Sequence, residues 1–181
     1  SFGSTGGQSI AGTTAGATLE LNSRPNAVDD AAETDEDNSV VIFVEGNDSD
    51  ADNGDGIDVV SVIQPDAGSA TIVRGIDNGN QVDDTIIYDP LDAFQYLAQD
   101  ESAQVSFSYT LRDAPGGEDA TSGEALPSQA VTDEDEATVT VTILGVNDAP
   151  LAVNDKASTD EDSVVTVYVL ANDSDPDTSD S

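Results

Sequence analysis

The chain has no cysteine, histidine, methionine or tryptophan among its 181 residues. Without cysteine there is neither a disulfide framework nor a thiolate metal site. Without histidine there is no imidazole ligand and no usual general base. The two absences together remove the Ser/His/Asp and Cys/His nucleophile systems. No Gly-rich phosphate loop follows a strand and opens a helix. A glycosidase-like carboxylate pair survives a count of residues, but it needs a cleft. The sequence therefore points away from an enzyme.

Positive charge is nearly as scarce. Arg24, Arg74, Arg112 and Lys156 stand against 38 Asp and Glu, a formal net charge of −34. Phosphate backbones need a basic surface, so nucleic acid is excluded as a partner. A membrane carrying anionic lipid repels such a chain. No stretch approaches the roughly 18–20 apolar residues of a membrane span, so no membrane insertion is expected. No basic n-region followed by an apolar h-region marks a signal peptide.

What is present is acid and repetition. Charge of this size opposes a compact state unless divalent cations or high salt neutralise it. From Pro25 the chain reads PNAVDDAAETDEDNSVVIFVEGNDSDAD, and from Pro150 it reads PLAVNDKASTDEDSVVTVYVLANDSDPD. The two stretches lie 125 residues apart with no gap, and more than half of their positions are identical. The chain is thus a piece of a tandem array, with Asn147-Asp148-Ala149-Pro150 as the joint between units. We expect a Gly/Ser/Thr-rich N-terminal segment over 1–24, a complete unit over 25–149, and the first two strands of a second unit over 150–181. Ala17 to Asn22 alternates and reads as a possible strand.

Strand signals separated by turn residues recur through the complete unit. They fall at Ala27–Glu33, Val40–Val44, Val59–Ile63, Ala70–Val73, Thr85–Tyr88, Gln104–Arg112 and Ala137–Leu144. Leu91 to Gln99, with Phe94, Tyr96 and Leu97, reads as one helical turn tucked under the sheets. Val105, Phe107, Tyr109 and Leu111 share one face, as do Val139, Val141 and Ile143. Tyr109 either ties its hydroxyl to backbone near a corner or is plain core. The fold class is all-β: a seven-stranded antiparallel Greek-key sandwich of the cadherin/immunoglobulin-like kind.

Alternating strand directions send the acidic loops to the two ends. One end takes Asp35, Glu36 and Asp37, then Asp100 and Glu101, then Asn147 and Asp148. The other takes Asn47, Asp48, Asp50 and Asp52, then Asp113. At the joint Glu36, Asp100 or Glu101, Asn147 and Asp148 meet Asp155, Asn172, Asp173 and Asp175 of the second unit. Hard oxygens converging from two bodies suit Ca²⁺, which takes 6–8 of them at about 2.3–2.6 Å. Asp48 to Gly56 is not an EF-hand: the sixth position lacks Gly, the twelfth (Val59) lacks Glu, and no helices flank it.

GVNDAP at 145–150, TDED, LANDSDPD at 170–177, YDPLDAFQYLAQDESAQVSFSYTLRD at 88–113 and the TVTVTILGVNDAP ending resemble the bacterial cadherin-like and VCBS-type tandem repeats. Those repeats occur in large type I-secreted (RTX-type) adhesins. The resemblance covers Pro25 to Asp177. It implies an extracellular β-sandwich chained head to tail, with Ca²⁺ at its joints and neighbouring repeats or neighbouring subunits as partners. The chain departs from the usual repeat in the loop Ala114–Gln129 and in Thr132-Asp133-Glu134-Asp135. Three roles are open at this point: a calcium-stiffened spacer, a self-assembling fibre completed by strand addition at 150–181, and a glycan-binding module using the 114–129 loop. An aromatic platform for that last role is missing.

Overall fold

The structure, a computed structural model, describes residues 23–51, 57–75, 84–113 and 134–178. The expected strand Ala17–Asn22, the ligand candidate Asp52 and the loop Ala114–Gln129 lie outside them, as does the side chain of Asp113. Seven strands form: β1 (Asp30–Asp35), β2 (Val40–Ile42), β3 (Ile57–Val62), β4 (Ser69–Val73), β5 (Thr85–Asp89), β6 (Ser102–Asp113) and β7 (Glu134–Leu144). Among the described residues the remaining regular element is a 3-10 turn over Val44–Gly46.

The strands make two sheets, ordered β1-β7-β6-β3 and β2-β5-β4. The long pair β6–β7 runs antiparallel from Ser102 opposite Leu144 to Arg112 opposite Glu134. Period-two alternation sets which sheet face is buried. Val105, Phe107, Tyr109 and Leu111 are buried, and so are Ala137, Val139, Val141 and Ile143. Their neighbours on the outer face are hydroxyl and amide residues that bond across the strands, such as Ser106 to Thr140 and Gln104 to Thr142. The opposite sheet contributes Ile42, Ala70, Ile86 and Tyr88. Tyr88 stacks on Phe107 across the core, with ring centroids 6.0 Å apart. Its hydroxyl donates to the carbonyl of Ala67. Gly68, at φ 76, passes so close that a Cβ there would lie 2.6 Å from that hydroxyl.

β1 pairs with β7 in parallel, from Asp30 opposite Val139 to Asp35 opposite Leu144. Strands of alternating direction give the first and seventh the same heading, so this one pair is parallel while the others are antiparallel. Leu91 to Gln99 forms no helix. Its bonds are isolated turns, Ala93 to Pro90 and Leu97 to Phe94, which still drop Phe94 and Leu97 into the core.

The second copy departs from expectation. Residues 150–178 hold an isolated bridge, Leu151 with Ser174, and neither of the two expected strands. Two strands bury too little to stand alone, and residues 150–178 pair with neither sheet of the complete unit.

Candidate metal centre at the joint

The turn after β1 begins where Asp35 receives the backbone N–H of Asp37 and the side-chain amide of Asn38. This turn delivers Glu36 inward, with its own N–H on the carbonyl of Leu144. Glu36 is only 1% exposed. Its Oε1 accepts the N–H of Val146 at 2.7 Å. Past Val146 the linker turns, and the N–H of Asp148 donates to Oδ2 of Asp177 at 3.0 Å. Asp177, also 1% exposed, belongs to the second copy. It is held there by its N–H on Asp175 and by the next residue, Thr178, whose N–H and hydroxyl both donate to the carbonyl of Tyr96.

Glu36, Asp148 and Asp177 therefore converge, each offering a carboxylate oxygen within 4.8 Å of the others. Glu36 Oε2, Asp148 Oδ2 and Asp177 Oδ1 are buried and have no hydrogen-bond partner. A buried carboxylate oxygen without a donor is costly, and three at one place call for a positive charge. Burial raises the pKa of Glu36, partly offset by the N–H of Val146, with Asp148, Asp37 and Asp177 adding repulsion. Asp148 is raised too, by desolvation first and then by Asp177, Asp37 and Asp175. The donor set fits Ca²⁺: all hard oxygen, and spaced as ligands at about 2.4 Å from one ion are spaced. Asp37 and Asp175 stand close enough to act on the group electrostatically.

The other expected ligands are placed elsewhere or play other parts. Glu101 accepts the N–H of Ala98 on its side chain and that of Gly145 on its carbonyl. Asp100, at φ 72, is exposed and turns the chain into β6. Asn147 bonds the carbonyl of Asp148. Asp155 is exposed. Asn172 and Asp173 hold the backbone of Val153, the side-chain amide on its carbonyl and the carboxylate on its N–H. Asn47 and Asp48 hold Val28 in the same way at the far end of the complete unit. There Tyr109 donates toward Val28, Asp30 and Asp48, the last at 2.9 Å, so it is a tie between strands as well as core. Asp50 lies in that same far-end segment and is half-buried.

Sequence reasoning named Glu36 and Asp148 but not Asp177. The missing signal was the repeat itself: Asp177 stands 125 residues after Asp52, which did enter the candidate set.

A family model described as bacterial Ig domain matches residues 22–123 and again residues 147–181. Among solved structures, the chain is similar to the one described as "Crystal Structure of Protocadherin Gamma C5 EC1-3", at 12% identity and a TM-score of 0.42. That match covers 86% of this chain and 46% of the other, so the chain spans less than half of its length. No curated protein matches.

Proposed function

Since the chain belongs to the bacterial Ig domain family, and its two copies meet over three carboxylates, we propose that it is a non-catalytic structural repeat of an extracellular adhesin. In this reading Ca²⁺ stiffens the joints and the array is a spacer holding a binding domain away from the cell surface. The observation that carries it is the convergence of the Glu36, Asp148 and Asp177 carboxylates, each of which also holds one buried oxygen without a hydrogen-bond partner. When bound, the ion supplies the positive charge that three carboxylates at this spacing need. Glu36 belongs to the first unit, Asp177 to the second and Asp148 to the linker, so one ion ties all three segments. Repeat arrays transmit order through such nearest-neighbour contacts.

The test is thermal melting with calcium and with a chelator. A ligand at about 100 times its dissociation constant stabilises by about 2.7 kcal/mol, and the wild type should show the rise in Tm that such a stabilisation produces. Glu36→Gln with Asp177→Asn should abolish the rise. An unchanged Tm upon chelation sinks the calcium reading.

A second reading is a self-assembling fibre. It is favoured by the apolar run Val164 to Leu170, where Val164 is 100% and Leu170 79% exposed. Such a run is suited to strand addition by a neighbouring subunit. Size-exclusion chromatography separates the two: calcium-compacted monomers support the spacer, and polymers support the fibre.

A further inference from the structure

The correspondence between copies extends upstream of Pro25. Leu19-Glu20-Leu21-Asn22-Ser23-Arg24-Pro25 stands 125 residues before Leu144-Gly145-Val146-Asn147-Asp148-Ala149-Pro150. Leu, Asn and Pro are kept at the first, fourth and seventh positions, and Leu21 matches Val146 in kind. The departures are Glu20 for Gly145, Ser23 for Asp148 and Arg24 for Ala149.

Two of these fall where the joint is built. Asp148 supplies one of the three converging oxygens, and serine offers a neutral hydroxyl in its place. Gly145 is a steric requirement. A Cβ on it would run into the backbone carbonyl of Ala98 and lie 2.7 Å from that of Leu97. Both obstacles are backbone, which has no flexible end to swing aside. The close approach is locked by the N–H of Gly145 on the carbonyl of Glu101 at 2.9 Å. It also sets the next residue, because the N–H of Val146 must reach Oε1 of Glu36. A side chain at position 145 pushes the exit of β7 away from the β5–β6 connection and takes that N–H off Glu36. An arginine at position 149, as at Arg24 in the earlier copy, adds a positive charge one residue from Asp148, where it opposes a cation.

We propose that positions 145 and 148 decide whether the joint after β7 takes a divalent cation: Asp148 by its carboxylate, and Gly145 by the close approach that lets the N–H of Val146 reach Glu36. The inference rests on the calcium reading of Glu36, Asp148 and Asp177. Gly145 is a positioning residue, since it touches no ion and acts through Val146 and Glu36.

The experiment measures calcium affinity of the full chain by chelator competition below its melting temperature, with Tm recorded in calcium and in chelator. Three variants are compared with wild type: Gly145→Ala, Asp148→Ser, and a transplanted junction that carries the residues found 125 positions earlier (Gly145→Glu, Asp148→Ser, Ala149→Arg). Gly145→Ala keeps all three carboxylates, yet it should lose about 10–100-fold in affinity, the usual cost of disturbing the groups that orient ligands. The transplanted junction should show no rise in Tm on going from chelator to calcium, whatever the displaced exit of β7 does to its Tm in chelator. If wild type responds to calcium and Gly145→Ala binds as tightly, or the transplanted junction still responds, the inference is overturned and the calcium reading stands. If wild type itself does not respond, both fall. If the transplanted chain does not fold, Gly145→Ala decides alone.

Discussion

One stretch of sequence takes two forms in this chain. In the first copy Val40–Ile42 is strand β2, paired with β5, and Ile42 and Val44 are buried in the core. In the second copy the corresponding Val165 to Val169 has no pairing, and Val165, Val167 and Val169 are exposed. The short-range structure is nonetheless the same in both. Asn26 bridges Ser49, and Leu151 bridges Ser174. Val28 donates to Asp48, and Val153 to Asp173. The hydroxyl of Thr34 donates to the carbonyl of Asn38, and that of Thr159 to the carbonyl of Ser163, both at 2.7 Å. Side-chain-to-backbone bonds within about 20 residues are written in the segment itself. The strands are not, because β-propensity measures fit to a pleated, half-buried surface that another segment must provide.

The widest gap between the copies is expected in the core positions. Ile42→Ala should cost about 2–5 kcal/mol, the range for emptying a buried aliphatic site. Val167→Ala, its counterpart, should stay within about 0.5 kcal/mol, as exposed substitutions do. Urea unfolding of the two variants reads this directly, and equal costs would mean that Val167 is covered in solution.

A smaller difference is expected from pH. Asp48 and Asp173 hold their valines alike, but only Asp48 also receives the Tyr109 hydroxyl beside Asp30. That hydroxyl has one proton for two carboxylates. Burial raises the pKa of Asp30, offset by Tyr109, with Asp48 adding repulsion. Burial raises Asp48 as well, offset by the N–H of Val28 and by Tyr109, with Asp135 adding repulsion. A folded pKa above the unfolded one means that the folded state holds more protons. Its stabilising contribution is full below the unfolded pKa and is lost as pH rises through the folded one. Unfolding midpoints taken upward from about pH 4 should therefore fall in the wild type and fall less steeply in Asp48→Asn. Parallel slopes would show that burial of this pair does not contribute to the pH dependence.

The smallest effect sharpens what is common. Thr34→Ala should cost roughly 0.5–1.5 kcal/mol, the net worth of one hydrogen bond. Thr159→Ala should leave global unfolding unchanged, because no cooperative sheet depends on its turn. Urea unfolding of the two variants checks this, and a cost for Thr159→Ala as large as that for Thr34→Ala would mean that the second turn belongs to a cooperative unit.

Much of the complete unit was legible. Clean alternation over Gln104–Arg112 and Ala137–Leu144 located β6, β7 and their inward faces, since period two leaves one assignment once a face is apolar. The acidic turn at Asp35-Glu36-Asp37 and the linker at Asp148 were legible as ligand sources because the strand directions put them at one end. Asp177 was legible only as the repeat counterpart of Asp52; that it meets Glu36 depends on how the second copy folds against the first, through Thr178 on Tyr96. The parallel partnership of β1 with β7 is likewise a tertiary outcome. Periodicity gives faces and headings but no neighbours. The second copy shows the same limit from the other side: Val164 to Leu170 has every local mark of a strand and lacks only a sheet.

The parallel register of β1 and β7 has a mechanical consequence. The chain enters the unit beside one end of this pair and leaves it beside the other. Tension applied along the array drags the two strands past each other lengthwise. The ladder from Asp30–Val139 to Asp35–Leu144 is then loaded all at once, in shear, instead of opening one rung at a time. In single-molecule stretching, each such unit should hold at low force and give way in one abrupt rupture.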